Sequence, residues 1–238
     1  MTNTLIKLFK IFLNRSFISA LFKGVGAGTE HIKHLKVLSV NHVIDIGANK
    51  GQFALVSRSI YPNARIDSFE PLSEPADIYE KVFKNYTNVF LHRFAIGEKE
   101  EEKIIYVSNK EDSSSLLPIG DKQNFFFPGT HERSKRLIKV VLLEKLIKNN
   151  DIISPAFLKI DVQGYELQTL YGCHSLFEKI KYIYCECSFQ DLYEGQSLAH
   201  EIIEFLSKNN YFLIGIYNLH YTSKGQVIQG DFLFKKRR

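Results

Sequence analysis

The sequence predicts an α/β fold built on a doubly wound, mostly parallel sheet. Short β-branched and aromatic stretches alternate with amphipathic helical ones along most of the chain, and such alternation implies right-handed parallel crossovers. Glycine turns or carboxylates follow several of these stretches directly, which is where sheets of this kind bind ligands. The 238 residues, 45% hydrophobic and 24% charged with 19 Phe and 12 Tyr, suffice for one packed domain with an appendage. They exclude a disordered or low-complexity chain.

The elements follow in order. Residues 4–22 place Lys7, Lys10 and Asn14 on one stripe and Leu5, Leu8, Phe9 and Phe12 opposite, the pattern of an amphipathic helix. Three destinations stay open for it: packing on its own domain or a partner subunit, lying on a membrane surface, or serving as a signal peptide. After the hinge Gly24–Gly28, Thr29 can cap a short helix to about Leu38. Residues 1–38 are therefore read as an extension and 39–238 as the main domain. His42–Ile46 is a buried strand, Lys50–Ile60 a helix, Arg65–Phe69 a strand, and Ser73 caps a helix to about Tyr86;. Asn88–Phe94 is the third strand and Lys103–Val107 an added one. Residues 108–135 lack any period, and strand resumes at Arg136–Leu142. Ala156–Asp161, a helix over Tyr165–Tyr171 ended by Gly172, and strand Tyr182–Cys187 continue the alternation. A helix capped by Ser197 runs to Lys208, and Phe212–Tyr217 with Val227–Phe234 reads as a closing antiparallel hairpin;.

Charge is concentrated at the ends. The net +5 comes from Lys235-Lys236-Arg237-Arg238 and six basic residues before residue 37, whereas 37–234 carries 21 basic and 25 acidic residues. A mildly acidic body argues against a nucleic-acid groove. Basic ends suit an anionic surface or plain solvation. No run reaches the length of a spanning helix. Three Cys cannot build a disulfide framework, so reduced thiols and a cytoplasmic setting, with peripheral membrane contact through residues 1–22 left open, are expected.

The chemistry starts at Val43-Ile44-Asp45-Ile46-Gly47-Ala48-Asn49-Lys50-Gly51. Glycines let the chain turn tightly and let a ligand approach the backbone. The second strand ends Phe69-Glu70-Pro71, and Glu70 can accept hydrogen bonds from both ribose hydroxyls. Strand, glycine turn, helix, strand and acid together specify a nucleoside-containing cofactor. A nicotinamide dinucleotide would want G-x-G-x-x-G with its pyrophosphate on the helix N-terminus. The spacing here is G-x-x-x-G with Asp45 just ahead, which suits a cationic ligand without phosphate, namely S-adenosylmethionine.

VIDIGANKGQF, FEP, LHRFAIG, SSSLLPI, FPGT, FLKIDVQGYELQTLYG, YCECSF, DLYEGQ and GDFLF resemble the FkbM-type S-adenosylmethionine-dependent methyltransferases over about residues 28–234. The resemblance implies the class I methyltransferase architecture, a seven-stranded Rossmann-like sheet whose last strand is antiparallel. It also implies methylation of hydroxyls on sugars or secondary metabolites. Asp45, Gly47, Asn49 and Gly51 would then hold the methionine end and Glu70 the ribose, while Ala95-Ile96-Gly97 would border the adenine.

Three side chains are candidates for the chemistry. Asp161 ends its strand beside the expected methyl donor and can accept or orient the proton of an attacking hydroxyl; its alternative role is a helix cap paired with Lys159. Glu186 points away from Cys185 and Cys187 and needs a cation or substrate hydroxyls as partner. His92, near the end of the third strand, is the third candidate base. Glu166 reads as a structural acid at its helix start. Asp161 and Glu186 could hold a divalent ion, but no third ligand stands at recognisable spacing, so no metal is expected. His31 and His34 beside Glu30 read as a solvated helix face. Phe125-Phe126-Phe127 reads as a lid or subunit contact.

The leading expectation is therefore an O-methyltransferase of glycan biosynthesis, acting on a hydroxyl of a small molecule or glycan without nucleic acid, with a homo-oligomer left open. Two rivals remain: a nicotinamide-dependent oxidoreductase, and a membrane-attached module with a vestigial cofactor fold.

Overall fold

The computed structural model describes residues 14–237. Residues 4–13 of the expected amphipathic helix lie outside the described residues. The remainder forms helix α1 (Arg15–Leu21), capped by Asn14, whose side-chain oxygen accepts from the amides of Ser16 and Phe17;. Phe17 and Ala20 bury themselves in the same apolar cluster as Val43, Phe53 and Phe157, so α1 packs onto the sheet. A 3₁₀ turn at Thr29–His31 leads into the single helical turn α2 (Ile32–Leu35). Tyr61 pins that turn by donating its hydroxyl to the Leu35 carbonyl.

Strand β1 (His42–Ile46) is followed by α3 (Gln52–Ile60), then β2 (Arg65–Phe69), α4 (Ser73–Phe83) and β3 (Val89–His92). The expected third strand breaks after His92. The two residues of β4 (Ala95–Ile96) then leave for a second sheet, where they pair with β6 (Glu132–Val141); β6 also pairs antiparallel with β5 (Glu101–Ser108). Between β5 and β6 the stretch without period contains a 3₁₀ turn, Glu111–Ser113, and helix α5 (Asp121–Phe126). Helix α6 (Leu143–Leu146), β7 (Ala156–Ile160), α7 (Glu166–Cys173), β8 (Ile180–Ser188), α8 (Ala199–Lys208), β9 (Tyr211–Tyr221) and β10 (Val227–Lys236) complete the chain.

The main sheet has seven strands in the order β3-β2-β1-β7-β8-β10-β9. Every pairing is parallel except those of β10, which runs antiparallel to β8 and β9. All five residues of β1 and of β7 are buried, as continuous apolar runs covered on both faces should be. One cluster packs Ile44, Leu158, Leu170 and Phe232 on one face, and another packs Val43, Phe53, Phe157 and Leu233 on the other. The three cysteines are buried and free. Among the described residues no helix is long and apolar enough to cross a membrane.

Several expected helix ends move. Thr29 and Ser73 lie inside their elements, with Gly28 and Leu72 as the boundary residues, and α4 stops at Phe83 instead of Tyr86. Gly172 lies inside α7, because a Cβ there would sit 2.1 Å from the Gly97 carbonyl oxygen; the glycine serves close approach, not termination. Ser197 does not cap α8, whose boundary residue is Leu198, with its amide bonded to Glu201 Oε2 at 2.8 Å.

Candidate functional site

From β1 the chain winds outward through β2 and β3, and from β7 outward through β8. The switch point therefore falls between β1 and β7, and a cleft opens beyond their carboxyl ends;. Gly47 and Asp161 end those two strands. Gly47 has φ +77°, and a Cβ there would lie 1.9 Å from the Asp161 carbonyl oxygen, so glycine is required at this crossing. The Asp161 amide also donates to the Ile46 carbonyl at 3.2 Å.

Three contiguous cavities occupy the cleft. The first is a narrow slot of about 70 Å³ between Phe69, Leu72, Ala95, Ile96, Leu116 and Tyr165. Glu70 reaches into it with Oε2 accepting from the Asn49 amide at 3.0 Å and Oε1 from the Leu72 amide at 2.8 Å. A carboxylate offers about four acceptor positions, so two remain for hydroxyls. Burial pushes the Glu70 carboxyl up to about 7, against those two amides;. The charged residues lining the slot are Glu70, Glu111, Asp112 and Asp161. A pyrophosphate would meet carboxylates without a cation among these residues, whereas a sulfonium would meet charges of opposite sign;.

The second cavity, about 410 Å³, shares Gly47, Asn49, Asp112 and Asp161 with the slot and adds Gly28, Glu30, His31, Lys159 and Asp231. Its mixed charge suits a zwitterionic amino-acid tail. Lys159 is the fixed cation. Its Nζ donates to the Gly47 carbonyl at 2.8 Å and lies 3.1 Å from Asp45 Oδ1 and 3.7 Å from Asp161 Oδ2. Burial alone would lower its pKa, but the charges of Asp45 and Asp161 outweigh that and raise it.

The third cavity, about 860 Å³, is lined by Asp161, Gln163, Glu186, Asn218, Gln229 and Asp231 on the sheet side and by Lys110, Phe127 and Thr130 on the other. Gln163 ties this wall together. Its amide nitrogen donates to Asp161 Oδ1 and to Glu186 Oε2, both at 2.8 Å, and its oxygen accepts from the Tyr193 hydroxyl at 2.7 Å. Gln163 holds this position with φ +56°, an uncommon conformation for a residue with a side chain;. Gln229 donates to Glu186 Oε1 at 2.7 Å. Burial, followed by the charges of Asp161, Asp231 and Glu166, raises the Glu186 carboxyl well above the usual range.

The cleft thus brings together Gly47, Asn49, Glu70, Ala95, Ile96 and Asp161, with Glu186 in the outer cavity. Asp161 lines all three cavities. Three of the expected residues stand elsewhere. Asp45 is wholly buried behind the Gly47 turn and touches Lys159 instead of lining a cavity. Gly51, at φ +93°, lines none of the three cavities, and a Cβ there would strike the Phe83 ring at 2.5 Å, so α4 constrains this position. His92 bonds Asp67 at 2.8 Å and stacks on Phe69, within a cluster completed by His42 and Arg65. It faces none of the three cavities.

His31 and His34 depart furthest from expectation. His34 is buried and stacks on Tyr217 at 4.1 Å, and both rings reach the Tyr184 hydroxyl, at 3.1 Å and 2.9 Å. Burial pushes each of them down to about 4. Asp231, Asn218 and Gln229 also went unassigned from sequence. Their only signal was polarity inside the closing hairpin, at positions where the alternation asks for apolar side chains.

Known proteins agree with this architecture. The methyltransferase FkbM domain model matches residues 45–213. The chain is similar to the 2-O-methyltransferase NoeI of Sinorhizobium fredii, 25% identical over 201 residues that cover 77% of this chain and 81% of that protein. Among solved structures it is similar in fold to an uncharacterized protein from Listeria monocytogenes serotype 4b. The TM-score is 0.50 at 7% identity, over 88% of this chain and 68% of that one.

Proposed function

Because the chain belongs to the FkbM methyltransferase family, we propose that it transfers a methyl group from S-adenosylmethionine to a hydroxyl oxygen of a sugar, glycan or secondary-metabolite intermediate. It is a methyltransferase, and S-adenosylmethionine is its cofactor. The observation that carries the finer reading is Asp161: of the two carboxylates that line the slot, the recess and the outer cavity, Asp112 and Asp161, it is the one directly after β7, against Gly47 and held by the Gln163 amide. The similar protein from Sinorhizobium fredii is named as a 2-O-methyltransferase, which supports oxygen as the accepting atom.

The cofactor supplies an electrophilic methyl on a sulfonium. Glu70 would accept the ribose hydroxyls, and Ala95, Ile96 and Tyr165, which line the slot, would flank the base. Asp161 meets the acceptor where the cavities join and takes or orients the hydroxyl proton. Gln163 sets the orientation of Asp161 through its amide. The acceptor is held by Glu186, Gln229 and Asn218 in the outer cavity, where amides and carboxylates suit a polyhydroxylated molecule. Phe127, packed edge-on against His220, lines that cavity from the other side. Holding oxygen and methyl in line supplies the rest of the acceleration.

The test is incubation with methyl-labelled S-adenosylmethionine and fractionated cell glycans, with products located by mass spectrometry. Label on a hydroxyl oxygen is expected, and turnover should fall about 10²–10⁴-fold in Asp161→Asn while binding of S-adenosylhomocysteine changes far less. Label on nitrogen or carbon would overturn the acceptor assignment. Near-native turnover in Asp161→Asn would leave Asp161 only as a structural partner of Lys159 and Gln163.

A further inference from the structure

We propose that the segment ahead of the sheet, through Glu30 and the His31 ring, binds the ammonium group of the cofactor's amino-acid tail. This rests on S-adenosylmethionine occupying the cleft. The family match begins at residue 45, so nothing in it assigns a role to this segment.

Three observations converge. First, the segment is fastened to the sheet at the recess. The Gly28 amide donates to the Gln52 carbonyl at 3.1 Å, and the His31 ring packs edge-on against Phe53 and Tyr184. Second, Nδ1 of His31 is engaged, 3.1 Å from the Tyr184 hydroxyl and 3.3 Å from the Asn218 amide nitrogen, and Nε2 lies 4.0 Å from Glu30 Oε1. With the ring proton on Nδ1 and given to Tyr184, whose own proton goes to Asp231 Oδ2 at 2.9 Å, Nε2 presents a lone pair beside that carboxylate;. Two acceptors this close, both lining the recess, match a donor that points several N–H bonds at once. An ammonium has three and no acceptor. Third, the buried cation Lys159 lines the same recess, where the carboxylate of the tail would meet it. The low titration of His31 agrees, since the ring stays neutral and does not repel the ammonium.

The experiment compares two ligands that share the adenosine part. S-adenosylhomocysteine carries the amino-acid tail, and methylthioadenosine lacks it. Isothermal titration should show wild-type protein binding the former more tightly. Glu30→Gln and His31→Phe should each weaken S-adenosylhomocysteine about tenfold, the loss expected for a charge-assisted contact. Methylthioadenosine affinity should be unchanged, which also reports that the variants are folded. Equal loss for both ligands, or no loss for either, would overturn the assignment and leave the cofactor reading standing. Wild-type protein that binds neither ligand would overturn both.

Discussion

Lys159 Nζ lies 3.1 Å from Asp45 Oδ1, between residues that face each other in register on β1 and β7. Asp45 is wholly buried and Lys159 nearly so. Removing one partner of such a pair strands the other charge, at a cost of about 3–5 kcal/mol. Asp45→Asn should therefore lower the urea midpoint sharply. Because Lys159 also donates to the Gly47 carbonyl, S-adenosylhomocysteine binding should weaken in the folded fraction. An unchanged midpoint would show that Asp161 and the backbone carbonyls suffice to hold Lys159.

Glu70 makes cofactor binding depend on pH. Its carboxyl is raised by burial to about 7, and the ionised form is the better acceptor for ribose hydroxyls. Affinity for S-adenosylhomocysteine should rise as pH increases from 6 to 8, and Glu70→Gln should bind more weakly with a flat profile. For stability the sign is opposite. A carboxyl whose folded pKa lies above its unfolded value of 4.5 keeps its proton longer in the native state, so its contribution is lost as pH rises through about 7;. Melting without ligand should accordingly show Glu70→Gln gaining on wild type as pH rises from about 4.5 to about 7, with a constant difference above that;.

His34 carries the reverse dependence. Its folded pKa, lowered by burial from 6.5 to about 4, means that the unfolded chain binds more protons between those values. Stability is therefore lost as pH falls through that window. His34→Phe keeps a ring to stack on Tyr217, and its melting temperature should fall less than that of wild type between pH 6.5 and 4. Parallel curves for the two proteins would show that the imidazole does not stay neutral.

Three glycines with positive φ separate ligand geometry from packing. Gly47→Ala should abolish measurable cofactor binding, because its Cβ would drive the Asp161 carbonyl away. Gly51→Ala should lower the melting temperature by pushing Phe83 and Tyr79, with affinity retained in the folded protein. Gly24→Ala meets nothing within 4 Å and should cost only backbone strain, about 1 kcal/mol. Equal losses of affinity in all three would remove the distinction.

The sequence by itself determined the alternating elements, because the period of apolar residues is local. His42–Ile46 and Arg65–Phe69 form strands with the bounds their residues predict. It also determined that Gly47, Glu70 and Asp161 would gather, since residues directly after parallel strands share one end of the sheet. Only the tertiary structure decided which side chains complete the cleft. Whether Asp45 or Asp161 faces the cavity depends on the register of β1 against β7, which puts Asp45 beside Lys159 and hides it. His31 reaches the recess because the segment before the sheet folds back over Phe53 and Tyr184, a contact 153 residues long in sequence for Tyr184. Its amphipathic spacing alone reads the same as a solvated face. Asp231 and Gln229 join Glu186 because β10 inserts between β8 and β9, and strand order within a sheet is set by packing over the whole domain, not by any local pattern.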